Sequence, residues 1–533
     1  MAIKVGGVDV VDNSLGLKNI ATVDATTADA ISAAGVGGGK ADFVASGAIA
    51  NGDVVILNSD GTVTTAGLEP TVVGSTTTYA STDTSIHASC FDSTNNKVIL
   101  FYSDNTGNAV YGVVGTVSGN SITFGSATIV FGLTPTILAC VYDTTNQKVV
   151  VMIAKNNPVY SGLAYVGTVS GTSISFGSPT YFYSSSTNYA GYARIAYDDT
   201  NGKVIITYVD FDDSNKGKAV VGTVSGTSIS FGSAVTYETN AADRNDTAFD
   251  SSNGKLVIKY RSVNVLYAIV GTVSGNSISF GTRVTVNATS GNYGFIALAY
   301  DSTSNKIISA YHDPSYDGYV SVGTVSGTSI SFGTPTLYYD GDPSFRPYSF
   351  RIVHDASANK FVIAWILWQQ YGPEYGRLTI GEVSGTTATI STTVNFNGTN
   401  AVGYTTALNN FGLTYDSSNN RVVVNYMADT INDYGLVQVI TTGGSTNITD
   451  TNLIGVSTEA ISDTATGTIN IIGGINESQT GLTTGTTYYV ANDGSLSTTN
   501  NGRKVGKAIS STKLLVDTAM SGPEMNTYLG GLV

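Results

Sequence analysis

Apolar residues in this chain fall in short blocks such as KVVVMI at 148, KVIITY at 203 and KLVIKY at 255, each bounded by polar turn residues. Within a block they occupy successive rather than alternate positions, which predicts strands buried on both faces. Each block follows an aromatic residue, an aspartate and a polar turn. The copies read FDSTNNKVIL at 91, YDTTNQKVVV at 142, YDDTNGKVII at 197, FDSSNGKLVI at 249, YDSTSNKIIS at 300, HDASANKFVI at 354 and YDSSNNRVVV at 415. The aspartates are Asp92, Asp143, Asp198, Asp250, Asp301, Asp355 and Asp416, in steps of 51, 55, 52, 51, 54 and 61 residues. A period near 50 built only of strand-like segments predicts β-propeller blades.

Each repeat divides into four strands. The first ends at the aromatic–Asp pair, the second is the apolar block, and the third ends in VGTVSGN at 114 or a close variant at 166, 221, 270, 322 and 380. The Ser-Gly pair marks a hairpin, and SISFGS or a variant forms the fourth strand. The seventh repeat lacks this hairpin. PTVVGSTTTY at 70 reads as the missing outer strand, so residues 70–80 are expected to pair there and close a seven-bladed ring. The expected class is all-β, with a seven-bladed propeller over 70–445.

Comparing the repeats separates scaffold from candidate site. The Asp-to-Lys/Arg spacing is five residues in every copy, from Asp92–Lys97 to Asp416–Arg421. The loop after the second strand varies, from Tyr260–Val270 to the longer Trp365–Ile380. Strand order puts these loops and the interblade loops on the face opposite the uniform turns, and variable loops on a rigid scaffold are the usual seat of binding. They carry Phe211, Tyr316, Trp368, Tyr371, Tyr375 and Tyr434 beside Asp210, Asp212 and Asp313, with Tyr189, Tyr192, Phe345 and Tyr348 in interblade loops. Aromatics for stacking beside carboxylates for hydrogen bonding suit a sugar ligand. Trp365 stands in a slot that other repeats fill with tyrosine, which makes it core.

Other chemistry is thin. His87, His312 and His354 lie in three different repeats without metal-ligand spacing. Asp210-Phe-Asp-Asp-Ser-Asn215 offers oxygens for Ca²⁺ but lacks the EF-hand glycine and distal glutamate. No nucleophile elbow or phosphate loop stands out, so no catalytic residue is assigned and the chain is expected not to be an enzyme. Cys90 and Cys140 fill a slot held elsewhere by Ala196, Ala248 and Ala299, as small packed hydrophobes with no expectation of being within bonding reach. A net charge of −14 with only 12% charged residues argues against nucleic acid and anionic membranes. No apolar run approaches the roughly 20 residues of a membrane span.

Outside the repeats, GDVVILNSDGTVT at 52 parallels GTTYYVANDGSLST at 485, each two strands about an Asp-Gly turn. Residues 41–69 and 446–520 are therefore expected to form one small sandwich- or barrel-like β-domain split by the propeller, with a tail over 521–533. In the first 40 residues, IKVGGVDVVD reads as a strand pair. Thr26 to Asp29 reads as a capping box opening a short helix that ends at Gly35. So short a helix would dock on a partner or another copy, which points to a homo-oligomer.

DNSLGLKNIATVDATTADAISAAGVG resembles the N-terminal attachment segments of tailed-bacteriophage fibre and related virion proteins, particularly of marine phages. ANGDVVILNSDGTV, the stretch from EAISDTATG to DGSLST, and VGKAISSTKLLV are similar to a β-module of those proteins, and the blade phrases resemble repeats of phage structural proteins. The resemblance implies a tail or head fibre on the virion, assembled in the host cytoplasm and released by lysis. Other virion proteins would hold residues 1–40 and the split domain, while the propeller faces a host-surface glycan or protein. It supplies no catalytic residue. A polysaccharide depolymerase and a purely architectural decoration or connector remain alternatives.

Overall fold

The computed structural model describes residues 3–5, 8–11 and 39–517, apart from 59–60, 68–69, 157–159, 288–294, 371–373, 397–410, 428–432, 445–447, 449–451, 492–493 and 501–502. The chain is all-β, with no helix among the described residues. The strand pair at the start is present, Ile3–Val5 against Val8–Val11. The helix expected over 26–35, Tyr371 and the tail lie outside the described residues. Two compact units form: Met1–Glu69 with Gly444–Val533, and Pro70–Gly443.

In the first unit, Lys40–Val44, Thr466–Asn470, Leu453–Ser457, Val54–Leu57 and Val63–Thr65 make one sheet in that order. Segments from either side of the repeats thus pair directly, Lys40 opposite Asn470 and Ile56 opposite Leu453. A second sheet joins Ile475–Asn476, Leu514–Val516, Lys504–Ala508, Thr487–Val490 and Leu496–Ser497.

In the second unit each repeat is an antiparallel meander. The first shows the pattern: Thr84–Asp92, Lys97–Asp104, Ala109–Ser118, and an outer strand in two pieces, Ser121–Phe124 and Thr128–Phe131, both paired to Ala109–Ser118. The third and fourth repeats share one nine-stranded sheet. Val235–Asp250 pairs at its start with Lys216–Ser225 and at its end with Lys255–Ser262. In the seventh repeat, Thr71–Val73 and Thr77–Ala80 pair with Gly435–Thr442. The first strands of the repeats pack one on the next, and Phe411–Asp416 of the last packs on Thr84–Asp92 of the first. The core lies between these sheets, with Phe101, Tyr260, Tyr311, Trp365 and Tyr426 almost fully buried.

The break in the outer strand is a packing device. A Cβ on Gly125, Gly177, Gly232, Gly281 or Gly333 would lie 1.9–2.0 Å from the carbonyl oxygen of Thr172, Thr227, Asn276, Thr328 or Thr386, each in the hairpin of the following repeat. Gly74 stands in the same relation to Asn120, with a Cβ at 2.2 Å from its carbonyl oxygen. Each hairpin therefore seats its backbone in a notch that only glycine leaves open.

Candidate functional site

The repeated aspartate is structural. Asp92, 1% exposed, accepts the backbone N–H of Thr94 and Asn95 at 3.0 and 2.9 Å and the Asn95 amide at 2.8 Å. Asp143, Asp198 and Asp416 repeat the bonds to an asparagine three residues on. The basic residue five positions after the aspartate reaches the threonine of the Gly-Thr-Val phrase: Lys97 to Thr116 at 3.0 Å, Lys203 to Thr223 at 2.7 Å, Lys255 to Thr272 at 3.0 Å. The residue before the aspartate ties a repeat to its predecessor. The Tyr197 hydroxyl donates to Thr145 Oγ1 at 2.7 Å, the Tyr415 hydroxyl accepts from the Ser357 amide at 3.3 Å, and His354 Nε2 lies 3.0 Å from Asp301.

On the variable-loop side the acidic run is already engaged. Asp210 is bound by Lys218 Nζ at 2.7 Å, and Asp213 by Lys216 at 2.9 Å and Lys218 at 2.8 Å. Asp212 accepts from Ser185, from Thr187 at 2.7 Å, from Asn188 at 2.8 Å and from Tyr183 at 2.8 Å. These donors, Ser185 foremost, hold its carboxyl well below the usual range. The carboxylates of Asp210, Asp212 and Asp213 are thus engaged by lysines and by the 185–188 loop. Among the described residues, no group of three or more His, Cys, Asp and Glu is arranged to hold a metal. Asp313 likewise caps its own turn, accepting from the amides of Ser315 at 2.8 Å and Asp317 at 3.0 Å.

The aromatics separate into groups. Phe211 meets Tyr189 and Tyr192 edge-on, with centroids 5.3 and 6.1 Å apart. It walls a shallow pocket of about 280 Å³ with Tyr192, Asn215, Asp243, Arg261 and Asn264. Arg261 Nε donates to Asp243 Oδ1 at 2.6 Å and its second nitrogen meets Oδ2, a two-point contact that aligns both planes at the rim. Tyr192, Asn215, Val263 and Asn264 adopt left-handed backbone around the mouth, and Val263 is 72% exposed.

Tyr316 and Trp368 belong to a second group, sharing Arg346 with the guanidinium 5.1 and 4.0 Å from their ring centres. Tyr375 and Tyr434 pack partly buried against the core. The arginines were missed from sequence. Arg244, which lies 5.6 and 4.7 Å from the ring centres of Tyr192 and Phe295, is another. Their signal was available, since none of Arg244, Arg261 and Arg346 stands in the register of the repeated phrases.

The uniform-turn side carries a cavity as well, a funnel of about 540 Å³ walled by Tyr197, Phe249, Tyr300, His354 and Tyr415. Cys90 and Cys140 neighbour one another. Burial, and next the contact with Cys90, pushes the Cys140 thiol up, and both remain free. Adjacent first strands present the two to the same side, where they pack in one apolar cluster as the small hydrophobes expected from their slot.

No protein-family model and no curated protein matches the chain. Solved structures with likeness to it include the fungal lectin of Aleuria aurantia, described as a six-bladed β-propeller with fucose recognition. The two are 15% identical, with a TM-score of 0.37, over 60% of this chain and 97% of that one. The NanB sialidase of Streptococcus pneumoniae is 9% identical, with a TM-score of 0.39, over 57% of this chain and 68% of that one. A protein from Lactobacillus plantarum is 11% identical, with a TM-score of 0.40, over 65% and 97%. At that level of likeness neither ligand nor activity carries over.

Proposed function

We propose that Pro70–Gly443 is a seven-bladed β-propeller that binds glycan through the Phe211 pocket, carried on a phage virion by the remainder of the chain. The Phe211 pocket carries the binding reading. It pairs an aromatic wall with the Asp243–Arg261 pair and the amides of Asn215 and Asn264, the combination that grips a sugar's apolar face and its hydroxyls. The blade count is supported by repeats of one strand order, by contact of the last first strand with the earliest, and by Gly74 taking the notch position against Asn120. An insertion into the smaller unit is supported by the direct pairing of strands from either side of the repeats. Thr71 and Thr442 are joined by a 2.9 Å hydrogen bond, so the ends of the propeller lie together.

The virion placement rests on the resemblance of residues 12–37 to fibre attachment segments. Mass spectrometry of purified virions should find peptides of this chain, and their absence ends that half of the proposal. Glycan-array screening of the full chain, followed by titration of the best hit, tests the other half. Phe211→Ala should weaken that hit about tenfold, the loss of one stacking contact. Trp368→Ala should leave it unchanged. Equal affinity for wild type and Phe211→Ala removes the pocket from the site, and binding to no glycan favours the architectural role.

A further inference from the structure

The chain has two cysteines, and they meet across one junction between repeats. Cys90 stands two positions before Asp92, and Cys140 three positions before Asp143. Successive side chains of a strand point to opposite faces, so these offsets turn each thiol out of its own sheet toward the other. The strands that carry them, Thr84–Asp92 and Ile137–Asp143, pack directly on each other. Both side chains join the apolar cluster between the two sheets, with Ala88 and Leu138, and the thiols are in hydrogen-bonding contact. At the next junctions the same two offsets hold Val141 and Ile195, Ala196 and Thr247, Ala248 and Leu298, or Ala299 and Ile352. Only the first junction can be bridged.

One of the two thiols is also within reach of small molecules. Cys140, half-buried, lines a second, deeper cavity of about 160 Å³ where the first strands converge. Every repeat gives a residue to its wall: Ser89, Cys140, Arg194, Asp246, Leu298, Arg351 and Gly412. The wall is polar. Arg194 Nε lies 3.2 Å from Asp246 Oδ1, while His87 Nε2 and Ser89 Oγ have no partner among the described residues. A cavity of that size and polarity takes up molecules the size of water. It shares Ile195, Thr247, Leu298 and Ile352 with the funnel on the uniform-turn side, which gives it a route to solvent.

We propose that a small peroxide entering this cavity oxidises Cys140, and that Cys90 resolves the product into a disulfide stapling the first repeat to the second. The Cys140 thiolate takes one peroxide oxygen as the O–O bond breaks, giving a sulfenic acid and hydroxide. The Cys90 thiolate then attacks that sulfur, the S–O bond breaks and a second hydroxide leaves. Each hydroxide collects the proton that a thiol gave up. Two thiols and one peroxide thus become one disulfide and two waters, the sulfurs losing the two electrons that the peroxide gains. Burial, and next the contact with Cys90, raises the Cys140 thiol, so thiolate is scarce at neutral pH and the staple forms slowly, faster as pH rises. The site is independent of the Phe211 pocket and of whether the chain binds glycan.

The test is mass spectrometry of the folded full chain after exposure to hydrogen peroxide, with remaining thiols alkylated in denaturant before digestion. A linked peptide pair carrying Cys90 and Cys140, lighter by two hydrogens and released by dithiothreitol, is expected. The oxidised chain should unfold a few degrees higher than the reduced one, because the bridge ties off a whole repeat of the unfolded chain. Cys90→Ala, with the residue that Ala196, Ala248 and Ala299 place at that offset, should stop at a Cys140 sulfenic acid trapped by dimedone. Cys140→Thr, with the residue that Thr247 places at the other offset, should leave Cys90 reduced. Oxidised glutathione, too large for the cavity, should leave both thiols of the folded wild type free. Two free thiols after peroxide, a bridge between two chains, or a sulfinic acid at Cys140 beside a free Cys90 overturns the proposal. A glutathione adduct on the folded chain overturns the cavity as the route.

Discussion

Gly177→Ala tests how the repeats are joined. The added methyl would lie 1.9 Å from the Thr227 carbonyl oxygen and 2.9 Å from its carbon. Ordinary contact begins at 3.4 Å, so the hairpin must withdraw by about 1.5 Å. Both sides of the clash are backbone, and no rotamer relieves it. The Gly177 amide also donates to the Val166 carbonyl at 3.0 Å, which fixes the glycine to its own sheet. Overpacking of this kind costs about 1–3 kcal/mol. The restricted unfolded chain returns about 0.4–1 kcal/mol. A net loss of about 1–2 kcal/mol is expected, read as a fall in the urea midpoint. Gly132→Ala is the control, because a Cβ there meets nothing within 4 Å. Its midpoint should stay within about 0.5 kcal/mol of wild type. Equal midpoints for the two variants would falsify the notch as the joint.

Asp143→Ala removes a buried carboxylate that accepts from the Asn146 amide at 2.9 Å and its side chain at 2.8 Å, and should cost about 2–3 kcal/mol in the same assay; an unchanged midpoint refutes the turn's structural role. Lys259 is fully buried, donates to Ser309 at 2.6 Å and sits 3.8 Å from the Tyr311 ring centre, with burial holding its ammonium well below the ordinary value. With the folded pKa depressed, the unfolded chain binds the extra proton, so stability falls by up to about 1.4 kcal/mol per pH unit as pH drops below about 10. Lys259→Met should flatten that slope and raise stability near pH 7 by about 1–2 kcal/mol, and identical slopes for the two proteins would show that the amine carries no such penalty. Tyr197→Phe should lose about 0.5–1.5 kcal/mol with its bond to Thr145, a loss that denaturation in urea would resolve and whose absence would make the link between those repeats incidental.

The all-β fold was legible because strand blocks, Asp turns and Ser-Gly hairpins are local signals. Asp92 and Lys97 could be read as scaffold from their spacing alone. What escaped depends on residues far apart in the chain. Gly177 looks like the end of a strand until Thr227 of the next repeat is set against it. Arg194, Asp246 and Arg351 are ordinary strand residues until three repeats converge. Asp210 and Asp212 looked available for ligand because neither the lysines nor the Ser185–Asn188 loop that occupy them carries a recognisable pairing motif. Phe211 was found because an aromatic in a variable loop is conspicuous by itself, whereas its partners Asp243 and Arg261 come from the neighbouring repeat.

The glycine notch recurs at every junction except one. The outer strand of the sixth repeat, Thr387–Phe396, runs on without a glycine, and the seventh repeat has no Ser-Gly hairpin to seat there. That seam is held instead by the Tyr415 hydroxyl on the Ser357 amide, by Thr442 Oγ1 donating to the buried Asp355 carboxylate at 2.5 Å, and by a shared apolar cluster, with no backbone interlock. Side-chain ties can let go one at a time where a seated backbone cannot, so amide exchange at the sixth-to-seventh seam should outpace that at the five hairpin junctions that precede it, and equal protection at all of them would show that the notch is not what locks the sheets. A molecule that must part without losing its individual sheets would part at this seam.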